Sequence, residues 1–377
     1  MRILIVSGIW PPDVGGPASH APEVADFLRA RGHDVEVVTT AGGAPRIRAY
    51  PVRWTRRSLP VGVRHLHGVW LVARRARRAD VVYSTGMFGR STLAAAIARR
   101  PLVVKLTGDP AFERALLRGL VPDRLADFQR GGGGLQARAL RALRNAVVRR
   151  ARHVITPSGF LRDLVLAWGV EPGSVSVLPN PAPDVTGSGD PAEIRGRYGL
   201  NGRTLVFAGR LTPQKTLEVG LEALARSEGV SLLVVGEGPE RGFLEREAER
   251  LGVGDRVRFL GAQPREGVLE LLRAGDATLL TSSWENFPHV LVESLAVGTP
   301  VLATRAGGVV EIVEHERNGL LVEPGDAHGL AAAIDRYFAD AELRERLAAE
   351  AAPSVARFAP AAAYGSLEEI LTAAART

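Results

Sequence analysis

The run Glu285-Asn286-Phe287-Pro288-His289-Val290-Leu291-Val292-Glu293 sets two carboxylates eight positions apart across a turn. Its pattern is that of a chain leaving a strand and entering a helix. The backbone N–H groups from Asn286 to Val290 then lie at a helix N-terminus, where no intrahelical carbonyl meets them and a phosphate or sugar hydroxyl can bind. Carboxylates on either side of such a turn hold polyhydroxyl groups through charge-assisted hydrogen bonds. The plainer alternative is an acid at a helix start, followed by a solvated Glu one to two turns on. A glycine turn, Gly236-Glu-Gly238-Pro239-Glu-Arg-Gly242, also joins an apolar run to an amphipathic one. Its spacing misses the dinucleotide fingerprint by one residue and no clear strand-end acid follows about twenty residues on, so NAD is not expected. His65 and His67 stand two apart, on different sides of a helix, which makes a poor metal site. With no Cys in 377 residues there is no thiolate metal site, iron–sulfur cluster, disulfide or cysteine nucleophile.

At roughly 150 residues per domain, the length suggests two domains, with three as the alternative. The apolar share of 46% and charged share of 24% are those of a soluble globular chain with sizeable cores. In the first half, short apolar runs alternate with amphipathic stretches. Strands are predicted at Ile3–Val6, Val35–Thr39, Val81–Tyr83, Leu102–Leu106 and Val154–Thr156. Helices are predicted at about 18–31, 61–78, 90–99, 136–150 and 159–168, with Ser158 capping the last. Continuous apolar strands imply a parallel sheet buried on both faces, and right-handed crossovers then give a doubly wound α/β domain. The Gly131–Gly134 run reads as a mobile surface loop or as a plain linker. Residues 180–203, rich in Pro, Gly, Ser and Asp, read as the interdomain connection. Strands resume near Thr204–Ala208, Ser231–Val235, Val257–Leu260, Ala277–Leu280 and Val301–Ala303. The expected organisation is an N-terminal Rossmann-like domain over 1–182, a second over 183–359, and an alanine-rich helix within 360–377 that packs back on the first. Two such domains would face each other across a cleft at the carboxyl ends of their sheets.

The longer run from Trp284-Glu285 through Glu293-Ser-Leu-Ala296, Gly298 and Pro300-Val301 to the turn Gly307–Ile312 resembles the Glu-x7-Glu signature of retaining glycosyltransferases with the two-Rossmann (GT-B) fold, glycosyltransferase family 4, group 1. The resemblance extends over nearly the whole chain. Pro11-Pro-Asp-Val-Gly15-Gly16, Gly209-Arg210-Leu-Thr-Pro-Gln-Lys215, Gly236-Glu-Gly238-Pro239 and Phe259-Leu260-Gly261 stand in the family's order. It implies that Glu285 contacts the donor sugar, Glu293 the ribose, and Arg210 with Lys215 the diphosphate. Gly15 and Gly16 would lie beside the donor phosphates, and the Gly236 turn would face the base. Gly209, Leu260, Gly261 and the Asn286–Val290 turn complete the implied donor site.

The chemistry of the residues agrees. Breaking the glycosidic bond of a nucleotide sugar adds negative charge to its diphosphate, which a cation pair stabilises in the transition state. Lys215 is one of only two lysines beside 46 arginines, which suits a position wanting a compact ammonium. The other, Lys105, ends a strand in Val103-Val104-Lys105-Leu106-Thr107-Gly108-Asp109 and is expected on the acceptor side with Thr107. Asp109 is the candidate to orient or deprotonate the acceptor hydroxyl. Asp109-Pro110 reads equally well as a helix N-cap with Pro at N1, and the family often carries His near here. No nucleophile stands out in the first half, which suits a front-face mechanism with Glu285 as positioner. There is no Asp-x-Asp, so neither a catalytic metal nor a cofactor is expected. The expected reaction moves a glucosyl, N-acetylglucosaminyl or mannosyl group from a nucleoside-diphosphate donor, UDP ahead of GDP, to an acceptor sugar, lipid-linked or small-molecule hydroxyl. The alternatives are an epimerase or phosphorylase on the same fold, or a non-catalytic sugar-nucleotide binder.

Residues 1–183 hold 28 Arg/Lys against 12 Asp/Glu, a charge of +16, while the remainder holds 20 against 29, a charge of −9. A basic half suits anionic substrates or an anionic membrane leaflet, and the chain-wide preference for Arg is the competing explanation. Nucleic acid is not expected, since aromatics make up 6% and do not interleave with the arginines. No apolar run reaches the length that spans a bilayer, and MRILIVSGIW is too short for a signal peptide. The expectation is a cytoplasmic protein, peripheral at most at the inner face of the membrane.

Overall fold

The computed structural model describes residues 1–13, 16–46, 48–122, 124–185 and 189–376, with the backbone alone for 16–19. The chain divides into two compact units, Met1–Pro179 with Ala361–Thr377, and Asn180–Pro360.

The first unit is built on β1 (Arg2–Val6), β2 (Asp34–Ala41), β3 (Val52–Arg56), β4 (Val81–Ser84), β5 (Leu102–Lys105), β6 (His153–Thr156) and β7 (Val175–Val177). These form one parallel sheet in the order β3-β2-β1-β4-β5-β6-β7. Ile3, Ile5, Val103 and Ile155 face a core shared with the helices Gly16–Ala30 and Pro360–Ala375. Leu4, Val6, Val82 and Val104 face the opposite layer, the helices Val61–Ala76, Phe88–Ala98, Leu135–Val148 and Gly159–Ala167. Burial on both faces is why these strands read as unbroken apolar runs. Each such side chain contributes roughly 1.5–3 kcal/mol. The edge strands β3 and β7 escaped the sequence reading, because Val-Arg-Trp-Thr-Arg and Val-Ser-Val carry polar residues where one edge is unpaired.

The helix Pro360–Ala375 places Tyr364, Leu367 and Leu371 in the first unit's core. Tyr364 Oη donates to Glu23 Oε2 at 2.6 Å, and Arg31 Nε donates to Glu368 at 3.1 Å. The Gly131–Gly134 run is a surface turn beside the Arg-rich helix and not a linker between units. Arg141 donates to the carbonyls of Gly131 at 3.0 Å and Gly132 at 2.6 Å, and Gly134 is the N-cap of the helix Leu135–Val148. The run is a clamped turn after the short helix Leu125–Gln129.

The second unit holds β8 (Arg203–Ala208), β9 (Val230–Val235), β10 (Val257–Gly261), β11 (Ala277–Leu280), β12 (Val301–Thr304) and β13 (Gly319–Val322), parallel in the order β10-β9-β8-β11-β12-β13. The stretch 180–203 is not all connection. Asp190 accepts from Ala192 N at 2.6 Å, Pro191 follows it, and the helix Pro191–Tyr198 buries Ile194. β13, a short edge strand, was not anticipated. In both sheets the strand order reverses beside the first strand of the unit, between β1 and β4 and between β8 and β11. Such switch points open a crevice at the carboxyl ends of the strands, where doubly wound sheets bind ligands.

Candidate active site

At the β8/β11 switch point two loops are stitched together. The turn Pro213–Lys215 follows β8, and the loop 281–288 follows β11. Gln214 Nε2 donates to Trp284 O at 2.9 Å, Ser283 N to Gln214 O at 2.9 Å, and Thr281 Oγ1 to Lys215 O at 2.8 Å. Thr216, at φ +40°, returns a bond from its Oγ1 to Thr281 O at 2.5 Å. The result brings Lys215 Nζ onto Glu285 Oε1. Ser282 Oγ donates to the same oxygen at 2.7 Å, and Gly308 N donates to Glu285 O at 2.9 Å. Glu285 is 6% exposed, and its Oε2 accepts from no described residue. Ser282 was not singled out in the sequence, although the hydroxyl run Thr281-Ser282-Ser283 ahead of Trp284-Glu285 was the available signal.

Beyond this pair the chain turns through Asn286, Phe287 and Pro288 into the helix His289–Ala296. Phe287 is buried against Phe358, ring centroids 5.5 Å apart, which anchors the turn. Pro288 is the N-cap and offers no side-chain cap, and the helix start carries the partial positive charge of its dipole. His289 is exposed and accepts from Asn180 Nδ2 at 3.0 Å, and Val290 is half-buried. Glu293, in the second turn, has its oxygen 3.6 Å from Arg265 Nε. Burial pushes its carboxyl above the ordinary range, with Arg265 opposing. Arg210, just past β8, is exposed and makes no hydrogen bond or ion pair with the described residues.

The glycines of this edge have a backbone reason. A Cβ on Gly236, at φ +139°, would lie 1.9 Å from Gly209 O, and one on Gly238 would lie 2.1 Å from Leu211 O. Gly209 N bonds Val235 O at 2.9 Å, Leu211 N bonds Glu237 O at 3.0 Å, and Gly236 N bonds Gly261 O at 2.9 Å. Three strand-end loops are thereby knitted into one rim that only glycine permits at 236 and 238. Pro239 is exposed on that rim and Leu260 half-buried beneath it.

In the first unit, Gly15 lies outside the described residues and Gly16 opens the helix Gly16–Ala30. Lys105, at the end of β5, is 2% exposed, and burial lowers its ammonium to about pKa 7. Thr107 is exposed in the loop that follows. The structure corrects the reading of Asp109. Its Oδ1 accepts from Ala111 N at 2.8 Å and Phe112 N at 3.2 Å, which caps the helix Pro110–Leu117. Its Oδ2 accepts from Gln129 Nε2 at 2.7 Å and from Arg144 Nη1. Arg144 stacks 3.9 Å over the Trp168 ring, and Trp168 Nε1 donates to Gln129 Oε1 at 3.0 Å, closing the network. The side chains of Arg144 and Asp109 are 4% and 2% exposed, so this carboxylate is committed to the scaffold and not to an acceptor hydroxyl. Nor do His65 and His67 converge: His65 Nδ1 donates to Val61 O at 2.6 Å, while His67 Nδ1 pairs with Thr55 Oγ1 at 3.1 Å.

Comparison with known proteins agrees with this architecture. Residues 192–353 match the family model for glycosyl transferases group 1, and residues 15–181 match that of the glycosyl transferase 4-like domain. The Anabaena protein Alr3699/HepE, solved with UDP, with UDP and glucose, and with UDP-glucose, superposes with a TM-score of 0.81 at 26% identity, covering 99% of this chain and 100% of that one. An uncharacterized glycosyltransferase of Methanocaldococcus jannaschii, MJ1607, is 27% identical over 92% of this chain and 91% of its own length. The lipopolysaccharide core biosynthesis glycosyltransferase LpsE of Rhizobium meliloti is 43% identical, over 37% of this chain and 41% of its own length. Two Rossmann-like units, each matched by its own half of the family, make this chain a member of the group 1, family 4-type glycosyltransferases of the GT-B fold.

Proposed function

We propose that this glycosyltransferase moves a hexosyl group from a UDP-sugar to an acceptor hydroxyl, with retention of anomeric configuration and without a metal ion. The observation that carries the reading is the Lys215–Glu285 pair, held by Ser282 at the switch point ahead of the helix His289–Ala296. A diphosphate supplies the charge that Arg210 and the remaining N–H donors of Lys215 are placed to meet. As the bond between sugar C1 and the phosphate oxygen breaks, its electron pair passes to that oxygen, whose added charge these cations stabilise. The acceptor oxygen bonds to C1 from the same face, and the departing phosphate oxygen takes the acceptor's proton. Glu285 then has one task, accepting hydrogen bonds from the donor sugar's hydroxyls through Oε2, and Glu293 holds the ribose. The UDP complexes of the Anabaena relative support uridine as the base. The two cations, in a chain without Asp-x-Asp, support metal independence.

The test is a thermal-shift series with UDP, GDP and NAD, each in EDTA, followed by NMR assignment of the product's anomeric configuration. Ligand at about a hundred times its dissociation constant adds roughly 2.7 kcal/mol. UDP alone raising the melting temperature, and a product with the donor's configuration, are expected. A shift that requires metal, or an inverted product, overturns the corresponding part. Glu285→Gln should keep the UDP shift and lose most turnover, on the order of a hundredfold; full turnover would remove Glu285 from its role.

A further inference from the structure

Large apolar side chains exposed to solvent are distributed unevenly in this protein. Of the eleven most exposed among the described residues, nine belong to the first unit. On the helix Val61–Ala76, Val63, Leu66 and Trp70 fall at helical spacing and are 52%, 74% and 53% exposed. The opposite face of that helix buries Leu71, Val72 and Ala76 in the core, so this stripe points away from the sheet. The helix Phe88–Ala98, packed beside it on the same sheet face, exposes Leu93 and Ile97 four positions apart. The helix Leu135–Val148 adds Leu143. Exposed apolar side chains gathered on helices packed side by side mark a candidate interaction site.

Its charge says with what. The segments 61–78, 88–100 and 135–150 carry five, three and five arginines and not one Asp or Glu. A chain-wide preference for Arg explains why these are not lysines; it does not explain the missing acids. Helices of the second unit, such as Arg241–Arg250 with Glu245, Glu247 and Glu249, mix both signs. Arg74 sits 5.3 Å over the Trp70 ring, and Arg77 and Arg78 are exposed at the end of the same helix. Beside the stripe, a groove of about 420 Å³ is lined by Trp54, Leu59 and Leu71 together with Arg53, Arg56 and His67.

We infer that this outer helical face of the first unit docks on an anionic lipid leaflet, with Leu66 and Trp70 entering the headgroup region and the surrounding arginines meeting lipid phosphates. An amphipathic helix with Trp and Leu on one side and Arg around it has the composition of an interfacial binder. No helix of the described residues is long and apolar enough to cross a membrane, so the contact lies on the surface. The combination is two-part, and neither part suffices: scattered apolar groups give little affinity, and arginines alone are screened by salt.

The experiment is co-sedimentation of the full chain with phosphatidylcholine vesicles, and with vesicles containing about a third phosphatidylglycerol, at low salt. Binding to the anionic vesicles, at least about tenfold tighter than to the neutral ones and weakened by salt, is expected. Leu66→Ser with Trp70→Ser, and separately Arg77→Glu with Arg78→Glu, should each lower that affinity by about tenfold or more. All four side chains are exposed and lie outside the donor site, so the UDP-induced thermal shift of the variants checks their fold. Equal binding to both vesicles, no binding, or variants that bind like the parent would overturn the inference. So would a dimer in light scattering that Leu66→Ser with Trp70→Ser converts to monomer, since a second copy would then own the face. Absence of any UDP shift in the parent chain would count against the proposed reaction and leave the vesicle result standing.

Discussion

Lys105→Met should abolish a pH dependence of stability that the parent chain carries. The ammonium is 2% exposed at the end of β5, and burial alone, with no charge or hydrogen bond to offset it, lowers its pKa from 10.5 to about 7. Between those two values the unfolded chain holds the proton and the folded chain does not. The unfolded state thus binds more protons, and stability rises with pH at up to about 1.4 kcal/mol per unit. Below the folded value both states are protonated and the full cost of a buried ammonium is present; above the unfolded value neither is, and the cost is gone. Met keeps the length of the side chain and removes the charge. The stability difference between parent and variant should therefore narrow by about 2 kcal/mol between about pH 8 and about pH 10, with the variant the more stable at the lower end. Urea unfolding followed by tryptophan fluorescence reads this directly, because Trp10, Trp54, Trp70 and Trp168 lie in the first unit and only Trp284 in the second. Other titrating groups cancel in the difference. Parallel stability curves for the two proteins would show that Lys105 is solvated or paired in the folded state, and the reasoning would fail.

The buried Asp109–Arg144 pair should behave as scaffold: Asp109→Asn or Arg144→Met should each cost about 3–5 kcal/mol in urea unfolding, since each strands a buried charge. Loss of turnover in Asp109→Asn at unchanged stability would instead return Asp109 to the reaction. Gly236→Ala should destabilise the second unit by roughly 1–3 kcal/mol, whereas Gly209→Ala, whose Cβ meets nothing closer than 3.6 Å, should be nearly neutral; similar melting temperatures for the two would contradict the knitted rim. Glu293, with its carboxyl raised above 4.5 by burial, should make UDP affinity fall on acidification sooner than an ordinary carboxylate would. Calorimetric titration across pH should show the fall flattened in Glu293→Gln, and an unchanged profile would remove Glu293 from the ribose.

The central strands were readable because both faces of a parallel sheet are buried, which leaves a mark in most residues of β1, β5 or β9. The edge strands β3 and β7 carry polar residues and lack that mark, whereas β13, apolar and buried, carries it and was still missed. The two ambiguous sites show a different limit. Asp109-Pro110 reads as a cap and as a candidate base, and nothing nearby decides between them. The decision comes from Gln129 and Arg144, twenty and thirty-five positions away, whose arrival at Oδ2 depends on how two helices cross. Lys215 and Glu285 are seventy apart, and their meeting depends on β8 and β11 being neighbours, a consequence of strand order that no local pattern carries. The glycines were found by their pattern, yet their reason at 236 and 238, a backbone pressed against 209–211, belongs to tertiary packing.

Asp109–Arg144 and Lys215–Glu285 are both close, buried ion pairs, and an ion pair alone argues for neither stability nor function. Spare capacity separates them. Asp109 accepts four hydrogen bonds, two on each oxygen, and Arg144 is closed in by Asp109, Asn145 and the face of Trp168. A ligand arriving there would find no lone pair left on Asp109. Lys215 keeps a 16% exposed side chain and two of its three N–H donors beyond the one given to Glu285, and Glu285 keeps Oε2. Each member neutralises the other while the site is empty, which removes the cost of burying a lone carboxylate. Each also retains the group a nucleotide sugar needs, donors for the phosphates and an acceptor for the hydroxyls. On the proposed reading a diphosphate would enter without breaking the pair, and the ammonium would then sit between two anions. Exchange of Glu285 for Gln would leave Lys215 with the diphosphate alone, which is why that variant should hold UDP at least as well as the parent while failing in turnover.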